Sequence, residues 1–173
     1  VGRDQHDAQR ILNLLFSMLD FDKSALALHI KSVVTPNKMD PRILSQEVVD
    51  VLPVEVTSSK SAQAALDQAW ESESLSGENQ YYLDDEDKKV DALKIIHPVN
   101  APDVLFLQLK RFGYNYKGGL MRPHRITRKV TVSKYLKLLR YDPDDPLVLL
   151  EELTYERVSA VLHHGQTTIE SGH

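Results

Sequence analysis

The sequence predicts an α+β fold in which helices come first and the sheet follows. Three observations carry this. Apolar residues recur at three- and four-residue spacing near the amino end, strict alternation runs through Val104–Phe112, and further apolar runs bounded by turn residues fill the rest.

The first element is a helix, because Ala8, Ile11, Leu12, Leu15, Met18 and Leu19 fall on one face of a 3.6-residue period. Asp4 is the candidate N-cap, its carboxylate accepting from a first-turn N–H, and Asp7 lies near the positive end of the helix dipole. A second, short helix is expected over Ala62, Ala65, Leu66, Ala69 and Trp70, capped by the Thr57-Ser58-Ser59 cluster and packed by Trp70. Leu52 to Val56 alternates as a strand, with Pro53 placing it at an edge or a strand start. In Val104 to Phe112, residues Leu105, Leu107 and Leu109 share one face, as expected of a central, half-buried strand. Asn115 to Gly119 is the turn that follows. Lys129 to Val132 and Glu156 to Leu162 are further strand candidates, separated by turn material at Tyr141 to Pro146.

Composition bounds the chemistry. The chain has 173 residues, 21 Lys and Arg against 25 Asp and Glu, and no cysteine. Its length suits one domain, burying roughly 70% of the surface an unfolded chain exposes. Without cysteine there is no disulfide, no thiolate metal site and no thiol nucleophile within these residues. The longest apolar runs, such as Leu147 to Leu150, fall far short of the ~20 residues a spanning helix needs. No membrane partner and no amino-terminal leader are therefore expected. Residue 1 is Val and the chain stops at His173, which reads as a piece of something longer.

The net charge conceals an asymmetry. Residues 71–91 hold eight acids and two lysines, whereas Lys110 to Arg140 holds ten Lys or Arg and no acid. Such a block is a nucleic-acid hypothesis. The preferred reading is a solvated basic face, because no regular arginine or aromatic recognition pattern stands out. Other candidates also yield to plain readings. His163 and His164 are adjacent and point to opposite faces of a strand, so a shared metal is not expected. Asp84-Asp85-Glu86-Asp87 lacks the spacing and turning glycine of a calcium loop. Gly118-Gly119 reads as a hairpin turn.

Four segments, taken in order, say more. Gln5-His6-Asp7-Ala8-Gln9 opens a helix, and Leu75-Ser76-Gly77-Glu78-Asn79-Gln80-Tyr81 precedes Lys88-Lys89-Val90-Asp91-Ala92. Pro102 to Phe112 reads PDVLFLQLKRF, and Tyr155 to Gly165 is followed by Ser171-Gly172-His173. Together they resemble the ubiquitin-specific proteases over nearly the whole chain. The resemblance implies a partial papain-like fold with amino-terminal helices, then fingers and palm antiparallel β. Residues 1–50 would be thumb helices, 51–132 fingers and palm strands, and 133–173 palm strands ending at the catalytic histidine.

The resemblance also implies thiol hydrolysis of the bond after the C-terminal glycine of ubiquitin. A thiolate attacks the carbonyl, a histidine protonates the leaving amine, and a third group orients the imidazole. His173 matches the base. Asp7 matches the residue that engages the ubiquitin tail, with Gln5 and Gln9 as supporting amides. The nucleophile would lie before Val1 and the third triad member after His173, so the isolated chain is expected to be inactive. Ubiquitin and ubiquitinated proteins are the implied partners, with no cofactor, no metal and a cytoplasmic or nuclear location.

Three departures qualify this reading. Leu83 and Glu86 stand where many relatives have a zinc-binding CxxC pair, Arg10 stands where relatives have Glu, and Val132-Ser133 replaces a Phe-Pro pair. The first two, Arg10 and the missing zinc ligands, keep open an inactive ubiquitin-binding or scaffold member of the same fold; the Val132-Ser133 change is milder.

Overall fold

The computed structural model describes residues 8–18, 23–117 and 119–160. In chain order its elements are α1 (Ala8–Met18), a 3-10 turn (Lys23–Leu26), β1 (Leu28–Pro36), β2 (Arg42–Val49), β3 (Leu52–Glu55) and α2 (Ala62–Ala69). There follow β4 (Glu73–Leu75), a 3-10 turn (Gly77–Asn79), β5 (Tyr81–Leu83), β6 (Lys88–Val90) and β7 (Ala92–Asn100). The last are β8 (Leu107–Lys110), β9 (Phe112–Lys117), β10 (Leu120–Arg125), β11 (Tyr135–Tyr141) and β12 (Leu149–Glu156). None of the described helices is long and apolar enough to cross a membrane.

The largest sheet is four-stranded, in the order β2-β1-β7-β4, and antiparallel throughout. Its first two strands correct the expectation that residues 1–50 are helical. Val33 and Val34 are buried side by side at 3% and 0% exposure, so β1 loses the alternation that marks a one-sided strand. β2 shows no pattern for the opposite reason, being exposed at every position except the half-buried Val49. A bulge places Leu44 as an extra residue opposite Ser32/Val33.

β3 forms where Leu52 to Val56 alternates, with Leu52 and Val54 buried and Pro53 and Glu55 exposed. It pairs in parallel with β8, against the antiparallel expectation. The intervening chain, which includes α2 and β4–β7, supplies the long crossover that a parallel pair requires. β8 is shorter than the alternating run, and β3 is its one strand neighbour among the described residues. Leu105, Leu107 and Leu109 nevertheless all pack on the main core, as their shared face implies.

That core is Leu28, Leu52, Val54, Val56, Ala65, Leu66 and Leu138. Full burial of a residue such as Leu66 contributes about 1.5–3 kcal/mol. α2 supplies Ala65 and Leu66, and its N-cap is Ser61, not the 57–59 cluster. The Ser61 hydroxyl accepts from Ala64 N at 3.1 Å. Ser58 and Ser59 instead donate to Gln68 Oε1 at 3.0 and 3.1 Å. Trp70 ends the helix and packs against the core, as expected of it.

The carboxy-terminal strands differ from the expected ones. Lys129 to Val132 forms no strand, because its contribution is a single bridge from Thr131 to Ser61. The Tyr141 to Pro146 turn is present, closed by Asp142 Oδ1 accepting from Asp144 N at 2.7 Å. Its flanking strands are β11 and β12, so the second strand begins at Leu149 instead of Glu156. The expected Asn115 to Gly119 turn narrows to the residues around Gly119, whose φ of +80° suits glycine.

α1 also differs in facing. Leu15 and Met18, members of its apolar stripe, are 47% and 72% exposed, while Phe16 meets Phe106 edge to face at 5.4 Å. The expected cap Asp4, and Leu19, Gly118, His163 and His164, lie outside the described residues.

Candidate functional site

The segment 101–106 is where the distant parts of the chain meet. β7 delivers Asn100 to it, and β12 lies alongside. Tyr155 of β12 donates its hydroxyl to the carbonyl of Pro102 at 2.6 Å. Val104 N donates to Ala25 O at 3.3 Å, and Phe106 takes the ring of Phe16 from α1. Two of the four sequence segments, those containing Pro102 and Tyr155, are thus joined directly, and α1, the helix that carries Gln9, reaches the same stretch through Phe16.

A cleft of about 410 Å³ opens there, lined in part by Asn100, Pro102, Asp103, Arg140, Glu151 and Tyr155. Arg140 and Glu151 are register partners and pair Nε to Oε1 at 2.7 Å. Burial, followed by the nearby Asp103 carboxylate, raises the Tyr155 pKa above its ordinary value. The phenol therefore stays a proton donor through neutral pH. It anchors β12 and is no base.

The fourth segment is assembled at the other end of β7. Gly77 adopts φ +62°, a conformation that favours glycine, and leads through Gln80 into β5. Gln80 Nε2 donates to Asp91 Oδ1 at 2.8 Å, and Tyr81 pairs with Val90. These contacts join LSGENQY to KKVDA. Leu83 is 1% exposed, while Glu86 pairs with Lys88. Arg42 at the start of β2 reaches Asp85 at 3.1 Å. Among the described residues no group of His, Cys, Asp or Glu is arranged to hold a metal ion.

The sequence-derived site residues stand as follows. Gln9 lies in the first turn of α1, and its side chain is outside the described residues, as are Gln5, Asp7 and His173 entirely. The described part of the site is the scaffold around Pro102. Tyr155 was visible as the start of a motif, but its bond to Pro102 had no local signal, because the partners are 53 residues apart. The Arg140–Glu151 pair likewise depends on β-register.

Much of the basic block is engaged internally. Lys110 pairs with Glu55 at 2.8 Å, Lys134 with Glu156 at 3.0 Å and Lys137 with Glu152 at 2.6 Å. Arg111 and Arg128 donate to the carbonyls of Arg128 and Thr57.

A family model described as ubiquitin carboxyl-terminal hydrolase matches residues 2–173. The mouse "Ubiquitin carboxyl-terminal hydrolase 17-like protein E" is 30% identical, covering 98% of this chain and 33% of the relative. The mouse 17-like protein D is 34% identical over 70% of this chain and 21% of the relative. The Arabidopsis thaliana "Ubiquitin carboxyl-terminal hydrolase 25" is 28% identical over 75% and 18% respectively. Among solved structures, the SAGA Ubp8/Sgf11/Sus1/Sgf73 DUB module bound to ubiquitin aldehyde matches with a TM-score of 0.69 and 18% identity. That match covers 90% of this chain and 38% of the solved one, and it shows the shared fold. The chain spans a third or less of the length of these curated relatives.

Proposed function

Because the chain belongs to the ubiquitin carboxyl-terminal hydrolase family, as a ubiquitin-specific protease, we propose that residues 1–173 are part of the catalytic domain of a cysteine deubiquitinase. The observation that carries this reading is the family match over residues 2–173, which includes all four motif segments. The junction at Pro102 supports it. The domain hydrolyses the peptide or isopeptide bond after the C-terminal glycine of ubiquitin.

In this reading the nucleophilic cysteine is supplied from outside residues 1–173, since the chain has none. His173 accepts the thiol proton and returns it to the leaving amine. Asp7, with Gln5 and Gln9, receives the ubiquitin tail, a carboxylate being suited to cationic and N–H donors. The Tyr155–Pro102 bond fixes β12, the strand from which the chain runs on to 157–173. The 173-residue chain alone binds or positions but does not hydrolyse.

A second reading, an inactive ubiquitin-binding member, is favoured by Arg10 beside the tail-binding residues and by Leu83 and Glu86 in place of thiolate ligands. Hydrolysis of a fluorogenic ubiquitin amide by the full-length protein separates the two. Activity that is abolished by His173→Ala is the expected result. A folded, ubiquitin-binding protein with no turnover would establish the second reading.

A further inference from the structure

Side chains tie the β11–β12 hairpin down at its base, its middle and its tip. At the base Tyr155 donates to Pro102. At the middle Gln63 of α2 pairs both ways with the backbone of Lys137, accepting from its N at 2.8 Å and donating to its carbonyl at 3.0 Å. At the tip the segment 142–146 lies on the four-stranded sheet, with Pro146 buried. Lys31 Nζ donates to the carbonyl of Pro143, and His97 Nδ1 donates to that of Pro146 at 2.7 Å. Lys31 and His97 are register partners on β1 and β7, the two central strands of the sheet. The His97 ring stacks on Tyr141, the last residue of β11, at 3.6 Å and 13°.

Of these ties only the one at the tip contains a histidine. Its bond to Pro146 survives protonation, because Nδ1 carries a hydrogen both in the neutral tautomer that donates here and in the cation. The surroundings oppose the charge. His97 is half-buried, and its imidazolium stands opposite the Lys31 ammonium, a like-charge pair that weakens a sheet. His29, two residues from Lys31 on the same face of β1, brings no negative charge. The carboxylates of Asp142, Asp144 and Asp145 lie on the segment itself. Asp142 Oδ1 accepts from the N–H groups of Asp144 and Asp145, and Asp145 Oδ1 from that of Leu147. Burial outweighs the pull of the Pro146 carbonyl and lowers the His97 pKa. We propose that segment 142–146 is a proton-operated strap: neutral His97 holds the hairpin tip on the sheet, and protonation of His97 releases it. The base and middle ties persist, so the hairpin pivots on them and the rest of the fold stays in place.

The test is hydroxyl-radical footprinting of the full-length protein at about pH 7.5 and about pH 5, on either side of the ordinary histidine value. Oxidation of Tyr141 reports the tip, that of Tyr155 the base, and the 77% exposed Tyr116 is the reference. The expected result is that acidification raises Tyr141 oxidation severalfold relative to Tyr116 and leaves Tyr155 unchanged. His97→Gln, which keeps a donor but does not titrate, should remove the pH dependence. Lys31→Met, which removes the second donor, should raise Tyr141 oxidation already at neutral pH, and it decides the matter if circular dichroism shows His97→Gln to be unfolded. A flat Tyr141 signal in the wild type, a rise shared by Tyr155, a rise that persists in folded His97→Gln, or no effect of Lys31→Met each overturns the proposal. The readout needs no turnover, so its outcome is independent of the deubiquitinase reading.

Discussion

Tyr155 and Pro102, on β12 and on the segment leading into β8, are joined by a hydroxyl-to-carbonyl hydrogen bond of 2.6 Å. The phenol is half-buried, so the bond stands in place of water on both groups. Tyr155→Phe leaves the Pro102 carbonyl without this donor and should cost about 1–2 kcal/mol in urea unfolding. If the full-length protein turns over ubiquitin amides as proposed, the change should also lower kcat, because β12 precedes His173 in the chain. Unchanged stability and turnover would remove the anchoring role.

Leu83 is buried at the end of β5, beside the turn of the β5–β6 hairpin. It is 1% exposed, while the acidic turn beside it is clasped by Arg42 on Asp85. Leu83→Ala should destabilise by about 2–5 kcal/mol, and Arg42→Ala by no more than about 1 kcal/mol, as an exposed pair allows. A zinc chelator should leave the melting temperature of the wild type unchanged. A fall on chelation would show a metal requirement.

His97 stacks on Tyr141 at 3.6 Å between centroids, and its Nδ1 lies 2.7 Å from the carbonyl of Pro146. Burial lowers its pKa below the ordinary value, outweighing the bond to Pro146, which raises it. The native state therefore holds fewer protons than the unfolded state between the depressed pKa and about 6.5. Stability contributed by neutral His97 is present above about pH 6.5 and is lost as pH falls through the native pKa. Unfolding curves of wild type and His97→Gln across pH 5–8 should converge at the acid end. Parallel curves would show that His97 does not contribute to the pH dependence.

At the start of α2, Ser61 accepts from Ala64 N at 3.1 Å. Ser61→Ala should cost about 1 kcal/mol. Ser58→Ala, by contrast, removes only an exposed donor to Gln68 and should be near neutral. Equal effects of the two would return the capping role to the 57–59 cluster.

What the sequence disclosed followed from what each residue packs against. Leu105, Leu107 and Leu109 announced their face because only one side of that run meets the core. β1 hid because Val33 and Val34 are both covered, and β2 hid because neither side is. Ser61 was passed over for the longer 57–59 hydroxyl cluster, whose serines turned out to serve Gln68. At the site, the motifs that begin at Pro102 and Tyr155 were both legible and the bond between them was not. Pairing across 53 residues is set by the sheet and not by local composition.

The most direct test of the central claim uses ubiquitin whose C-terminus carries a thiol-reactive electrophile, applied to the full-length protein. The expected result is a covalent adduct one ubiquitin heavier, formed on a cysteine outside residues 1–173 and greatly slowed by His173→Ala. A folded protein that binds this ubiquitin without ever forming the adduct would contradict the claim.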